Sequence, residues 1–496
     1  MKILPHNYQT TCVKHCIENN RAALFLDMGL GKTVIILTVI NYLLNSLKIR
    51  GVLILAPLRV VYNVWPLEIE KWNHIGHLKY GILHGGQKDK EIKTKNDIYI
   101  TNYDSLNWLC NKLNKYKRDR FPFDMIIFDE STAVKNPQTK RFKMLRNIIK
   151  AFPRRIILTG TPAPNSLEDL WAQYFLLDDG ERLGTSKYRF RDRYFYPADY
   201  NHYRWRPYPT TAKILGEKVQ DITVRLSAKD YLKMPKLINN EVYWSMSDAT
   251  KQKYKEFEKE FLIELDRETV TAVNAASLST KLRQFLSGFL YNEGKQLDVH
   301  TEKLDVLDEL IEDRHGEPKL VAIQFRHEYD MIKKRYQKAP VIFGGMNTKT
   351  VNQTIKNWNY GEIPILIVHP ASIAHGINLQ QGGRILIWYS LPWSWEHYTQ
   401  LRARIYRQGQ EKPVISHHII AKKTVEEEVI KALLDKRGNE KTFTKQLITQ
   451  IRSNNELHCQ SVDSGNTESK TGVHHNISTF GKSDFRYRNY SYGTTP

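Results

Sequence analysis

Cysteine is scarce in this chain: four among 496 residues. Cys12, Cys16, Cys110 and Cys459 show no C-x-x-C spacing and no matched set of histidines. That excludes a disulfide framework and speaks against a closed zinc site, which needs four suitably spaced thiolate or imidazole ligands. His74 and His77 lack a second ligand pair, and Cys12 and Cys16, four apart in a helical pattern, read as buried thiols. Long uncharged apolar runs are missing too, so no membrane span is expected. The opening Met1-Lys2-Ile3-Leu4-Pro5-His6 carries no apolar signal core, and the expectation is a soluble, cytoplasmic protein. Acidic residues are in deficit: 53 Asp and Glu stand against 74 Lys and Arg, a formal net charge of +21. A field of that sign favours polyanionic partners, nucleic acid above all, and without a membrane span no membrane partner is expected. A hydrophobic fraction of 41% with 26% charged residues is ordinary globular composition, and the length suffices for two or three cores.

What the chain does have is an apolar run, Leu24-Phe25-Leu26, that breaks into Asp27-Met28-Gly29-Leu30-Gly31-Lys32-Thr33. A buried strand that hands over to a helix through Gly-x-Gly-Lys-Thr predicts a nucleotide-binding loop. Gly29 and Gly31 let backbone N–H groups turn onto an anion, Lys32 pairs with terminal phosphates, and the Thr33 hydroxyl can hold Mg²⁺. Leu26 stands where the strict G-x-x-x-x-G-K-[ST] pattern has its first glycine. Alone, the segment also suits a glycine turn opening an amphipathic helix over residues 33–44. The favoured chemistry is phosphoryl transfer.

Short apolar runs at residues 22–27, 51–56, 97–101, 125–129 and 155–159 end in polar residues, as buried parallel strands do, with helical patterns such as 66–72 and 140–151 between them. A second set of the same kind covers 319–325, 363–369, 384–389 and 413–420. The fold class expected is therefore α/β, with two doubly wound parallel-sheet lobes. The stretch between them has another texture, with aromatic and Arg-rich loops at 188–209 and long helical patterns at 248–266 and 272–291. The domain reading is an N-terminal lobe at 1–178, helical insertions at 179–300, a C-terminal lobe at 301–452 and a tail at 453–496. The tail is rich in Ser, Asn, Thr, Gly and His, a composition that cannot bury a core.

The chemistry-bearing residues fall at the predicted strand ends, where ligands of doubly wound sheets collect. Residues 125–128 deliver Asp129-Glu130-Ser131-Thr132. One acid of such a pair can hold Mg²⁺, and its neighbour can orient or deprotonate an attacking water. An N-cap acid opening the next helix is the other reading of an isolated pair. The next strand delivers Thr159-Gly160-Thr161-Pro162, a tight turn of small hydroxyl residues suited to sensing the phosphate site. Near the far end, residues 400–410 predict a helix on which Gln400, Arg404 and Arg407 share one face at i, i+4 and i+7. Two guanidinium groups so placed suit a polyphosphate whose charge shifts during cleavage, and a solvated basic face is the alternative. Ahead of them, Gly376 allows close backbone approach to phosphate.

In order and spacing these segments resemble superfamily two helicases, and within them the Swi/Snf-like branch of DNA-dependent ATPases. Tyr8-Gln9 is similar to the adenine-reading segment, Asp27 to Thr33 to motif I, Leu55-Ala56-Pro57 to motif Ia and Thr101-Asn102-Tyr103 to motif Ib. Asp129-Glu130 resembles motif II, Thr159 to Pro162 motif III, Gln324-Phe325 motif IV, Gly376 to Leu379 motif V and Gln400 to Gln410 motif VI. The resemblance runs over about residues 4–440, including Thr424-Val425-Glu426-Glu427, which looks like a brace helix. There are departures: Thr132 stands where the branch usually has His, Ala403 replaces an acid and Tyr406 a His.

The resemblance implies two RecA-like lobes with ATP and Mg²⁺ in the cleft between them. Lys32, Asp129, Glu130, Gln400, Arg404 and Arg407 are the implied catalytic set. Gln9, Met28, Gly29, Leu30, Gly31, Lys32, Thr33 and Gly376 are the implied nucleotide contacts, with Thr33 and Asp129 toward the metal. Pro57, Thr101, Asn102, Gln324 and Asn378 are the implied nucleic-acid contacts, to backbone and so without sequence preference. The activity implied is an ATPase stimulated by duplex DNA that translocates along or remodels it, with helicase activity possible. An RNA helicase of related architecture and an inactive nucleic-acid-binding scaffold are the alternatives. No strand-separating wedge is identified, Trp205, Trp393 and Trp395 being its aromatic candidates. A form this compact resembles those of phages and bacteria, which places it in the cytoplasm of a bacterial or phage-infected cell.

Overall fold

A computed structural model describes residues 5–115, 121–200, 202, 205–267, 272–292, 295–373, 377–433 and 435. Six strands build most of the first sheet: β1 (Arg21–Leu26), β2 (Val52–Ala56), β3 (Tyr80–Ile82), β4 (Ile98–Asn102), β5 (Met125–Asp129) and β6 (Arg154–Thr159). A small antiparallel hairpin, β7 (Phe195–Pro197) and β8 (Trp205–Pro207), precedes β9 (Thr223–Leu226), which returns to that sheet beside β1. The order is β3-β4-β2-β5-β6-β1-β9, and every pairing is parallel. Because both faces are covered, the strands are mostly apolar along their length, with polar residues mainly toward their ends. Ala23 and Phe25 enter the core on one face, and Leu24 and Leu26 enter the core on the other.

The second sheet repeats the plan. It opens with β10 (Leu237–Trp244); a hairpin of β11 (Phe289–Asn292) and β12 (Lys295–Asp298) stands apart from it. Then come β13 (Lys319–Ala322), β14 (Val341–Ile342), β15 (Ile365–Val368), β16 (Ile385–Trp388) and β17 (Val414–Ala421), in the order β10-β17-β16-β13-β15-β14. Again all pairs are parallel and two cores flank the sheet. The α/β class and the two lobes are thus as expected.

The segment 179–300 is not only helical insertion. It gives one edge strand to each sheet, β9 to the first and β10 to the second. β9 is four residues long with Arg225 in its middle, and β10 is mostly exposed, so neither reads as a buried run. The helices Asp248–Arg267 and Ala272–Leu286 are present, but the second stops short of residue 291. Gly288, at φ +96°, turns the chain into β11, where a Cβ would run into the His300 carbonyl. Cys12, Cys16 and Cys110 are buried free thiols, and burial pushes Cys12 up to about 12 and Cys110 to about 11. Cys459 and the tail lie outside the described residues. Among the described residues no helix is long and apolar enough to cross a membrane.

Residues 425–433 form the helix read as a brace. Its Glu426 carboxylate is buried against the Lys303 ammonium and also accepts from the Ala421 N–H at 2.9 Å, while Lys303 lies 5.2 Å over the Tyr389 ring. Removing one partner of a buried pair strands the other charge. Glu426→Ala is therefore expected to cost about 3–5 kcal/mol, read as a lowered denaturant midpoint; a loss below about 1 kcal/mol would show that Lys303 finds solvent instead.

Candidate functional site

The chain leaves β1 at Leu26 and enters the helix Lys32–Asn45 through two left-handed glycines, Gly29 at φ +91° and Gly31 at φ +76°. At Gly31 a Cβ would also sit 2.7 Å from Gln9 Nε2 and 3.2 Å from Val34 Cγ1. Gln9 therefore lies on the loop; its Nε2 approaches the buried Leu30's carbonyl at 3.5 Å and its Oε1 accepts from His6 N at 3.0 Å. Lys32 Nζ curls back onto the carbonyls of Leu26 (2.6 Å) and Asp27 (3.4 Å), oxygens that a phosphate can replace. Burial pulls its proton affinity below the lysine range, and the carboxylates of Glu130, Asp129 and Asp27 push it back. Thr33 follows on the first helical turn, half-buried. With its first amides unpaired within the helix, this terminus is suited to an anion.

The loop is braced from β9. Arg225 reaches Asp27 Oδ1 at 3.0 Å and donates to the Phe25 and Gly160 carbonyls, both at 3.0 Å. Asp27 Oδ2 also accepts from Ala228 N at 3.1 Å and Ser227 Oγ at 3.3 Å. Arg225 thus ties the loop after β1 to the turn after β6.

β5 delivers Asp129 and Glu130 to the same strand ends. Asp129 Oδ2 accepts from the indole N–H of the fully buried Trp65 at 2.9 Å, and its carbonyl accepts from Tyr103 at 2.9 Å. Burial raises the Asp129 pKa, with Trp65 and Lys32 opposing. Glu130 sits at φ 56°, ψ 63°, a left-handed conformation that costs a residue with a side chain about 1–3 kcal/mol and is found where a site imposes it. Its Oε1 accepts from Thr159 Oγ1 at 2.7 Å. Burial first, then the nearby Glu396 charge, raise Glu130 to about 7, against the Thr159 bond and Lys32. A carboxylate so poised suits general-base work. Thr161 donates its N–H to Thr159 Oγ1 at 3.1 Å, and its own buried hydroxyl finds no protein partner among the described residues.

From the second lobe, the helix Trp395–Arg402 carries Glu396 and Gln400. The helix ends at Arg402, so Arg404 and Arg407 lie beyond its last turn and not on one helical face with Gln400, a correction to the expected pattern. With Ala403 as C-cap, Leu379 N–H pairs with the Arg404 carbonyl, a tertiary bond that the local sequence does not signal. The turn sends Arg404 across the cleft. Its guanidinium donates to the Ile377 carbonyl at 3.0 Å and meets Met28 Sδ of the loop after β1 at 3.5 Å. Burial and the neighbouring Arg407 pull it down to about 10. Arg407 lies 3.5 Å from Asn378 Oδ1 and is also lowered by burial. Gln400 is fully buried, with Nε2 3.4 Å from Glu396 Oε1 and its own Oε1 without a partner among the described residues. Gly376 lies outside the described residues.

The implied nucleic-acid contacts are less uniform. Pro57 caps the helix Leu58–Asn63, and Arg59 two residues on donates to the Ser372 carbonyl of the other lobe. Thr101 is fully buried with its hydroxyl donated to the Leu83 carbonyl at 2.7 Å, so its side chain is not on the surface. Asn102 is buried too, and its Oδ1 accepts from Ser105 Oγ at 2.6 Å. Gln324 N–H is shared by Glu328 Oε2 (2.7 Å) and Ser390 Oγ (2.9 Å). Asn378 is exposed. Of the tryptophans, Trp395 is buried, Trp205 bonds the His202 carbonyl at 2.9 Å, and Trp393 keeps 39% of its surface.

Sequence reading missed Arg225, Trp65, Lys135 and Glu396. Glu396 alone left a signal, four residues before Gln400 on one helix. It reaches the first lobe, accepting from Thr132 Oγ1 at 2.8 Å and from Lys135 Nζ at 2.6 Å.

Residues 8–298 match the SNF2-related domain family and residues 302–409 the helicase conserved C-terminal domain family. Protein p41 of Acyrthosiphon pisum secondary endosymbiont phage 1 is 34% identical over 453 residues, 88% of this chain and 96% of that protein. An uncharacterized ATP-dependent helicase of Mycoplasma genitalium is 26% identical over 442 residues, 85% of this chain but 40% of the helicase. Among solved structures, the Sulfolobus solfataricus SWI2/SNF2 ATPase core in complex with dsDNA is 23% identical at a TM-score of 0.42, covering 89% of this chain and 94% of that one.

Proposed function

The chain belongs to the SNF2-related family of helicase-like ATPases acting on nucleic acid, and from that premise we propose that it is a DNA-stimulated ATPase that translocates along or remodels duplex DNA. One observation carries the reading: Arg404 of the second lobe lies against Met28 in the phosphate loop of the first. A guanidinium supplied across a cleft makes hydrolysis depend on closure, and closure is what a second ligand spanning both lobes can drive.

In this reading the helix amides after Gly31 and the Lys32 ammonium hold the terminal phosphates of ATP, and Gln9 lies where the base would be read. Water attacks the γ-phosphorus, its proton passes to Glu130, the bond to the bridging oxygen breaks and ADP leaves with the negative charge that Arg404 and Arg407 offset. The Thr33 hydroxyl and the Asp129 carboxylate are hard oxygen donors of the kind Mg²⁺ takes alongside substrate phosphates. When bound, Mg²⁺ would neutralise charge on the phosphate oxygens. Reopening after product release would move the contacts at Pro57, Gln324 and Asn378 relative to one another along a strand. The +21 net charge supports backbone binding without sequence preference.

The test is ATP hydrolysis by the wild type and Lys32→Ala, alone and with duplex DNA, single-stranded DNA or RNA. Turnover stimulated most by duplex DNA and lost in Lys32→Ala is expected. Stimulation by RNA alone would give the RNA helicase, and normal DNA binding without turnover the scaffold.

A further inference from the structure

Glu396 is the one carboxylate of the Trp395–Arg402 helix, and the mechanism above does not use it. It leaves the second lobe and ends between two donors of the first, Thr132 Oγ1 at 2.8 Å and Lys135 Nζ at 2.6 Å. Both donors belong to the turn that follows β5, and Lys135 and Glu396 keep only 22% and 13% of their side-chain surface. The Thr132 hydroxyl has one hydrogen and two acceptors within reach: Glu396 Oε1 at 2.8 Å and Glu130 Oε1 at 3.3 Å. The shorter contact takes it. With the lobes together, Glu130 Oε1 therefore keeps Thr159 as its one donor among the described residues. With Glu396 withdrawn, Glu130 Oε1 is the side-chain acceptor left within reach of the same hydroxyl among the described residues.

We infer that Glu396 is a positioning residue for hydrolysis: it latches the second lobe onto Thr132 and Lys135, and in doing so draws the Thr132 hydroxyl off Glu130. Lobe closure is thereby coupled to the geometry around the attacking water. The inference rests on the reading of this cleft as the hydrolysis site.

The test compares Glu396→Ala, Lys135→Ala, the reversals Glu396→Lys and Lys135→Glu, and the double reversal, in the full chain with duplex DNA. Loss of a hydrogen bond to a charged group predicts that each single variant lowers kcat by roughly 10- to 100-fold, while KM for ATP stays within about twofold. The double reversal should restore the closed fraction, since the ion pair can re-form, while kcat recovers only in part, because a lysine at 396 has no lone pair to take the Thr132 hydrogen. Melting temperature and binding of an ATP analogue separate a misfolded variant from an unlatched one, and Lys135→Ala repeats the test from the other lobe. A donor and acceptor dye on the two lobes read closure without turnover: Glu396→Ala should lower the closed fraction with analogue and DNA bound. Wild-type turnover in Glu396→Ala, a double reversal that leaves the closed fraction as low as in the single variants, or an unchanged closed fraction in Glu396→Ala would each overturn the latch. A wild type with no stimulated turnover would instead sink the parent reading, and the dye distance alone would then decide the latch.

Discussion

Arg404→Ala should cut DNA-stimulated turnover by about 10³–10⁵-fold, the range arginine fingers supply in other phosphoryl-transfer enzymes. Arg404 is buried in the cleft, bound at 3.0 Å to the Ile377 carbonyl and touching Met28 across the cleft. Its position is thus set by its own lobe before any nucleotide arrives, which is what makes a cation effective against charge that develops during cleavage. Arg404→Lys should recover little, because a shorter side chain ending in a point charge lacks the planar fork that donates to the Ile377 carbonyl from one nitrogen and presents the others to a phosphate. Arg407 sits beside the exposed Asn378, so Arg407→Ala separates two roles. A fall in kcat places it with Arg404, and a fall in DNA affinity alone assigns it to the nucleic-acid track. Single-turnover ATP hydrolysis, with affinity measured separately, makes the distinction. A turnover loss below about tenfold in Arg404→Ala would remove the guanidinium from the transition state.

Glu130→Gln is the second large effect, about 10²–10⁴-fold in turnover for the loss of a general base. Glutamine keeps the length of the side chain and an oxygen for the Thr159 hydroxyl, which donates to Glu130 at 2.7 Å. It meets the same left-handed backbone strain, so the fold and the phosphate loop should be undisturbed. ATP and DNA affinities should therefore stay near wild type while hydrolysis stops. Retained hydrolysis would move the base elsewhere. A parallel loss of ATP affinity would mean that the charge of Glu130 mainly serves to hold Lys32, which it faces.

How much of this was readable in the chain differs by element. β1, β2, β5 and β6 matched their apolar runs to within a residue or so, and the polar strand ends carried Lys32, Asp129 and Glu130 to one place. β9 and β10 were invisible, because an edge strand with an arginine or with mostly exposed side chains has no pattern of its own. Thr101 looked like a surface contact, yet its side chain points into the core to satisfy the Leu83 carbonyl. Residues 400–410 looked like one helix, but the chain turns after Arg402, where the Arg404 carbonyl accepts from the Leu379 N–H.

The sequence by itself determined the α/β class, the two lobes and the glycine turn after β1. A parallel strand buried on both faces must be apolar throughout, and a glycine turn before a helix needs only its own residues. Tertiary structure alone decided what reaches the loop from afar: Arg225 from an edge strand, Arg404 from a turn beyond a helix, and Glu396 from the other lobe onto Thr132 and Lys135. Those contacts join segments far apart in the chain, and which remote groups meet is set by the packing of whole sheets and helices, for which no local spacing carries a record.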